Sequence, residues 1–358
     1  MADIFRQHGT GDLSYYSDHI LPSHKRTLKD IIQCRTSNLG GQVYRCDHCD
    51  DLHYSYHSCK NRHCPKCMND SAEQWLEKQK DRLLPVLYFM ATFTIPDALR
   101  QLARGNQKCI YNLFFKASSE ALKLLASDPH YVGGTLGLCG VLHTWTKQLH
   151  YHPHIHYLIP GGGLNGTQWK TVKSDYLMPV KALSKIFRAK FRDGLKKTDL
   201  FDQVPLTIWK NKWVVHIEQV GSGLPAFKYL APYIFRVAIS NNNILSLNQG
   251  KVTFRFKDSN TKRTKLVTLP AQEFIRRFLQ HVLPFRFRKV RYYGFLSPRN
   301  KEQLEQIRNQ LRKKPLPHKP RKTNKSFNRV SILCPKCGQK LIPLEIIPRK
   351  RGPPWQSL

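Results

Sequence analysis

The chain predicts an α+β fold in which a small cysteine-rich module precedes a larger domain built on an antiparallel sheet with flanking helices. Two observations carry that expectation. The first is the run Leu149-His-Tyr-His-Pro-His-Ile-His-Tyr-Leu-Ile-Pro-Gly-Gly-Gly163, where His152, His154 and His156 recur at every second position. A period of two belongs to a strand, so the three imidazoles share one face while Ile155, Tyr157 and Ile159 point into a core. The second is the crowding of Cys34, Cys46, Cys49, Cys59, Cys64 and Cys67 into the N-terminal fifth of 358 residues.

The cysteine module comes first. Its two C-x-x-C knuckles, Cys46/Cys49 and Cys64/Cys67, stand 14 residues apart. That is the spacing of a structural four-thiolate Zn²⁺ site, which substitutes for a core in so short a segment. These four are the expected ligands, and Cys34, Cys59 and His63 remain either to build a second zinc site or to lie buried. Arg45, Lys60, Arg62 and Lys66 are interleaved with Tyr44, Tyr54 and Tyr56, a mixture suited to phosphate contact and base stacking. Asp70 to Leu84 reads as a helical spacer to the next domain.

Val86 to Ile95 reads as a buried strand, and Pro96-Asp97 then starts a helical pattern that runs to about Ala126. Thr135 to His143 and His152 to Pro160 follow as strands close enough to pair as an antiparallel hairpin. The sequence of strand, long helix and hairpin is what makes an α+β sheet covered by helices the expected architecture. A helix over Lys181 to Asp193 and a strand over Trp209 to Val220, closed by Gly221-Ser-Gly223, come next. Val252 to Lys257 and Lys265 to Leu269 alternate apolar with basic residues as a basic-faced hairpin, and a helix from Ala271 buries Phe274, Phe278 and Val282 at helical spacing. From Arg308 to Arg329 there are nine Lys or Arg, three Pro and no acid, the composition of a basic arm for a phosphate backbone. Beyond it Cys334-Pro-Lys-Cys337 repeats the knuckle, yet no His or Cys follows to complete a tetrahedron. Either His318 or a distant residue completes the site, or the pair is vestigial.

Lys and Arg number 59 against 24 acids, a balance of +35 that points to a polyanionic partner. The most apolar stretch, Leu83 to Pro96, has 14 residues, short of the ~20 needed to span a bilayer. No signal-peptide h-region opens the chain, so a cytoplasmic, reducing location is expected, where cysteine pairs bind metal instead of forming disulfides. Three imidazoles on one strand face, with Gly161, Gly162 and Gly163 beside them, outline a divalent-metal site with room for a bulky substrate. Lys228-Tyr229-Leu-Ala-Pro-Tyr233 offers two phenols four residues apart, a spacing that shares a helix face. The acids show no carboxylate cluster, which disfavours chemistry on a three-carboxylate metal site.

In combination, His-Pro-His-Ile-His before Gly-Gly-Gly, Tyr-x-x-x-Tyr leading into Arg236-Val-Ala-Ile-Ser240, and a cysteine array ending Asn61-Arg-His-Cys-Pro-Lys-Cys67 resemble one family. It is that of the two-tyrosine HUH transposases of bacterial rolling-circle insertion sequences (the insertion-sequence-ninety-one family). The resemblance runs from about Leu28 to Asn300. It implies an HUH-type antiparallel sheet, with His154 and His156 binding Mg²⁺ or Mn²⁺ and Tyr229 and Tyr233 as DNA nucleophiles. The third ligand is left open by the resemblance, and strand geometry offers His152. The organisation expected is a zinc-binding DNA-binding domain over 1–80, a catalytic domain over 81–300, and a basic linker with the second Cys-Pro-Lys-Cys over 301–358. The implied partners are single-stranded and double-stranded DNA at element ends and target, met in the bacterial cytoplasm at the nucleoid. Pro232 departs from the family pattern and suggests that the tyrosines straddle the first turn of a helix. An HUH plasmid replication initiator or relaxase, or a noncatalytic zinc protein that binds nucleic acid, are the rival readings.

Overall fold

The structure is a computed structural model that describes residues 1–15, 20–67, 69–80, 82–172, 175–235, 238–258, 261–311 and 332–350. The basic arm expected after Arg308 falls, from residue 312 onward, outside the described residues.

The N-terminal part comprises α1 (Ala2–Tyr15), α2 (Pro22–Gln33), β1 (Gly41–Cys46), β2 (Leu52–Tyr56) and α3 (Asn69–Lys80). There follow β3 (Tyr88–Thr94), α4 (Arg100–Gly105), α5 (Gln107–Ala126), β4 (Leu138–Trp145), β5 (Tyr151–Pro160), β6 (Gly162–Asn165), β7 (Gln168–Thr171), α6 (Val180–Leu195), β8 (Val214–Gln219) and α7 (Leu224–Phe235). The helical pattern after Pro96 is one element in sequence and two in space. It breaks at Asn106, with φ −122° and ψ 43°, because Gly105 and Asn106 are both weak helix formers. The chain closes with β9 (Ile244–Asn248), β10 (Lys251–Lys257), β11 (Thr264–Pro270), α8 (Ala271–Leu279), β12 (Val290–Tyr293), α9 (Lys301–Leu311) and β13 (Leu341–Ile347).

The α+β expectation holds. Five antiparallel strands in the order β12-β4-β5-β3-β8 form the main sheet, with the histidine strand β5 at its centre. Alternation sorts its side chains onto two faces. Phe89, Phe93, Leu142, Ile155, Tyr157 and Ile159 meet Phe114, Phe115, Phe187 and Phe191 of α5 and α6 in the largest core, each such ring contributing about 1.5–3 kcal/mol by leaving water. Tyr88, Cys139, Val141 and Leu158 point the other way and pack under Ala226, Phe227 and Leu230 of α7. His143, His154 and His156 belong to this second face, since each neighbours a residue committed to the first.

Helix α3 is more than a spacer. Its Trp75 meets Phe227 edge to face at 5.6 Å and donates an indole N–H to the Tyr292 hydroxyl at 3.0 Å, so α3 holds α7 down on the sheet. Tyr292 and Tyr293 of β12 are half-buried packing residues.

Gly223 sets where α7 begins. Its φ is +78°, its carbonyl accepts the Phe227 N–H at 2.9 Å, and a Cβ there would come within 2.7 Å of the Tyr88 ring. That ring is buried, and its hydroxyl accepts the Leu84 N–H, so it has nowhere to go. Gly223→Ala is expected to destabilise the chain by roughly 2–4 kcal/mol through left-handed strain plus overpacking. Gly221→Ala, also at positive φ but with nothing within 4 Å, should cost only the strain, and paired denaturant melts check the difference.

The basic-faced hairpin is present as β10 and β11, with β9 on its other edge. Its Val252 and Phe254 turn inward against Phe274, Ile275 and Phe278 of α8 and against Phe5, Leu28 and Ile31 of the N-terminal helices. Arg62 reinforces this junction. Its guanidinium donates to the carbonyls of Phe287 (2.6 Å) and Pro284 (2.9 Å), a use that removes it from the phosphate-contacting role expected of it. The C-terminal stretch divides: Leu304 and Ile307 of α9 join the core beneath α7, whereas β13 pairs with β1 in a three-stranded sheet, β13-β1-β2.

Candidate active site

Three imidazoles converge on the α7 face of the main sheet: His154 and His156 from β5, and His143 from β4. Their candidate ligand atoms all lie within 4.8 Å of one another, and ring centroids are 4.8 Å apart for His143–His156 and 4.9 Å for His154–His156. Burial holds the His143 ring well below the usual imidazole pKa and pushes His154 down to about 4 and His156 down to about 3. All three are therefore neutral near pH 7, the form that offers a lone pair to a metal.

Hydrogen bonds fix which nitrogen offers it. The Nδ1 of His154 lies 2.7 Å from the His152 carbonyl oxygen; a carbonyl can only accept, so Nδ1 carries the proton and Nε2 is left with the lone pair. Thr92 Oγ1 meets His156 Nδ1 at 2.8 Å and steadies that ring in turn. The donor set fits a divalent cation.

His152 is the exception to the strand reading. It shares the face, with its ring 5.2 Å from that of His154, but it stands outside the cluster of three. Arg100 donates a guanidinium N–H to its Nδ1 at 2.6 Å, so the neutral ring carries its proton on Nε2 and neither nitrogen is available. His143 replaces it. Sequence reasoning had β4 ending at this residue and pairing with β5, but overlooked that register puts His143 directly across from His154.

Above the trio opens a cleft of about 740 Å³. Thr94, Trp145, Lys147 and His152 line it, together with Arg255 and Lys257 of the basic hairpin and with Ala238, Ile239 and Ser240. The last three follow closely on the end of α7, the helix that carries Tyr229 and Tyr233. Both tyrosines and Pro232 lie within that helix, not at its first turn as Pro232 suggested; their side chains are outside what is described. A larger cleft, about 860 Å³ and bordered by Leu28, Arg104 and Ile275, contains none of His143, His154 and His156.

The cysteines form two groups. Cys34, Cys59, Cys64 and Cys67 make one, and Cys46, Cys49, Cys334 and Cys337 the other. The expected quartet Cys46, Cys49, Cys64 and Cys67 is thus split between them, since β13 brings the C-terminal knuckle beside the first. His63 belongs to neither; its Nε2 faces the Leu283 N–H at 3.4 Å. Sulfurs within each group approach at 3.4–3.7 Å, matching the ~3.8 Å edge of a tetrahedron with metal–sulfur arms of about 2.3 Å.

The structure joins a cysteine-rich module with two four-thiolate groups to an antiparallel sheet that buries a histidine cluster, and sequence comparison shows the class of protein to which this arrangement belongs. The family model described as "Transposase zinc-binding domain" matches residues 4–95, and the one described as "Putative transposase" matches residues 137–304. The chain belongs to the IS91 family of transposases and carries structural zinc in its cysteine module. It is 37% identical over 393 residues to "Putative transposase y4qJ" of Sinorhizobium fredii, covering 100% of this chain and 98% of that one. It is 26% identical over 292 residues to the transposase for insertion sequence element IS801 of Pseudomonas savastanoi pv. phaseolicola, covering 76% and 70%. No solved structure matches. Among the described residues no helix is long and apolar enough to cross a membrane.

Proposed function

We propose that this transposase is a two-tyrosine HUH enzyme that cuts single-stranded DNA at element ends and transfers the strand through a 5′-phosphotyrosine. The observation that carries this reading is the cluster of three neutral imidazoles on the sheet face that also packs against α7. His143, His154 and His156 would hold Mg²⁺ or Mn²⁺, which when bound would supply Lewis acidity at the scissile phosphate.

The chain's own groups do the rest. Lys147, Arg255 and Lys257 line the cleft and receive backbone phosphates. The hydroxyl oxygen of Tyr229 or Tyr233 attacks phosphorus, a tyrosine O–P bond forms, and the bond from phosphorus to the 3′-oxygen breaks. The phenol loses its proton and the departing 3′-oxygen gains one. A free phenol has a pKa of about 10, so the cations around the cleft favour phenolate at the moment of attack. One phosphoester is exchanged for another, and rejoining needs no nucleotide hydrolysis. Double-stranded DNA at ends and target, encountered at the nucleoid in the cytoplasm, is the wider substrate.

The test is a labelled single-stranded oligonucleotide from an element end, incubated with the full chain and Mn²⁺. A covalent adduct is expected, lost with EDTA. Trypsin cuts after Lys228 and Arg236, so the DNA should be found on the peptide 229–236, which holds both tyrosines. An adduct on any other peptide, or one indifferent to EDTA, refutes the reading.

A further inference from the structure

The matched zinc-binding domain ends at residue 95, yet half of one sulfur cluster comes from beyond residue 330. Cys46 Sγ lies 3.4 Å from Cys337 Sγ, and Cys49 Sγ 3.7 Å from Cys334 Sγ, across sequence separations of 291 and 285. The two knuckles are copies of one backbone design. Cys46 N–H donates to Asp51 O and Asp50 N–H to Cys46 O; likewise Cys334 N–H donates to Gln339 O and Gly338 N–H to Cys334 O. The residue four after the first cysteine has positive φ in each, +59° at Asp50 and +76° at Gly338.

Beyond the pairing of β13 with β1 and of β1 with β2, apolar packing in this part of the molecule is slight among the described residues. Among the described residues its buried cluster contains, beside the two cysteine pairs, Leu341, with Tyr44 packed against it. Residues of β2 and β13 such as Tyr54, Leu344 and Ile346 are exposed. A sheet with so small a core requires a metal as its core. The other sulfur cluster is different, since Cys34, Cys64 and Cys67 pack with Phe5, Leu28 and Phe278 in a substantial apolar core.

We infer that the chain binds a second structural zinc ion whose ligands come from both of its ends, Cys46 and Cys49 with Cys334 and Cys337. The zinc-binding domain is therefore bipartite: β13 and its knuckle are part of it, and the N-terminal hairpin is incomplete without them. This holds whatever the chemistry at the histidine cluster.

Metal analysis of the purified full chain should find two zinc ions, and one in C334S/C337S. In that variant Cys46 and Cys49 should alkylate rapidly while Cys34, Cys59, Cys64 and Cys67 stay protected. Cys337→His, which restores a zinc-binding donor, should keep both ions. A readout on the unaltered protein guards against misfolding of the variants. As a chelator strips the weaker site, mass spectrometry should show Cys46, Cys49, Cys334 and Cys337 becoming reactive together. One zinc ion in the unaltered chain, two in C334S/C337S, or Cys46 and Cys49 becoming reactive together with Cys64 and Cys67, each overturns the inference.

Discussion

Replacing Tyr229 and Tyr233 together with phenylalanine is expected to abolish the covalent protein–DNA adduct. Cleavage should fall by at least about four orders of magnitude, the scale of loss when a nucleophile is removed from an otherwise intact site. Phenylalanine keeps the ring and deletes only the oxygen that would attack phosphorus, so folding and salt-sensitive DNA binding should survive. The two positions lie one turn apart in a helix that runs through Pro232, about 6 Å along its axis. Neither is stranded outside the helix. Each single variant should therefore still form an adduct but fail to hold one strand while cutting a second, so joined products disappear before cleavage does. An adduct that persists in the double variant sinks the two-tyrosine mechanism, and a single variant as inert as the double one reduces it to one nucleophile.

Local periodicity was legible in the sequence, and long-range pairing was not. Ile155, Tyr157 and Ile159 are buried on one face and the histidines gather on the other, because alternation needs only neighbouring residues. The hairpins of β4 with β5 and of β10 with β11 could be read the same way. Partition of the cysteines could not. Every C-x-x-C looks alike locally, and nearness in sequence favours Cys46 and Cys49 with Cys64 and Cys67. What decides otherwise is β13 pairing with β1, a contact between chain ends that no window of residues encodes. Arg62 shows the same limit, since a basic residue among zinc ligands reads as a phosphate contact until its guanidinium is found on the carbonyls of Pro284 and Phe287.

The third donor to the proposed cation depends on that kind of pairing too, and it yields the sharpest contrast between two histidines. His143→Ala is expected to lower cleavage about a hundred- to a thousandfold, since a ligand to a cation worth several kcal/mol of transition-state stabilisation is lost. His152→Ala should cost less than tenfold, because its Nδ1 already receives Arg100 and its Nε2 carries the proton. Sequence alternation ranks them the other way. Manganese affinity, followed by the electron spin resonance signal of the free ion, separates a ligand from a packing residue: it should weaken in His143→Ala and hold in His152→Ala. The register of β4 on β5 is irregular between His143 and Trp145, so a one-residue slip there would turn His143 toward α5 and leave β5 with two donors. If His152→Ala loses the ion and His143→Ala keeps it, the strand face as read from sequence is the true ligand set, and the cross-strand trio is only packing.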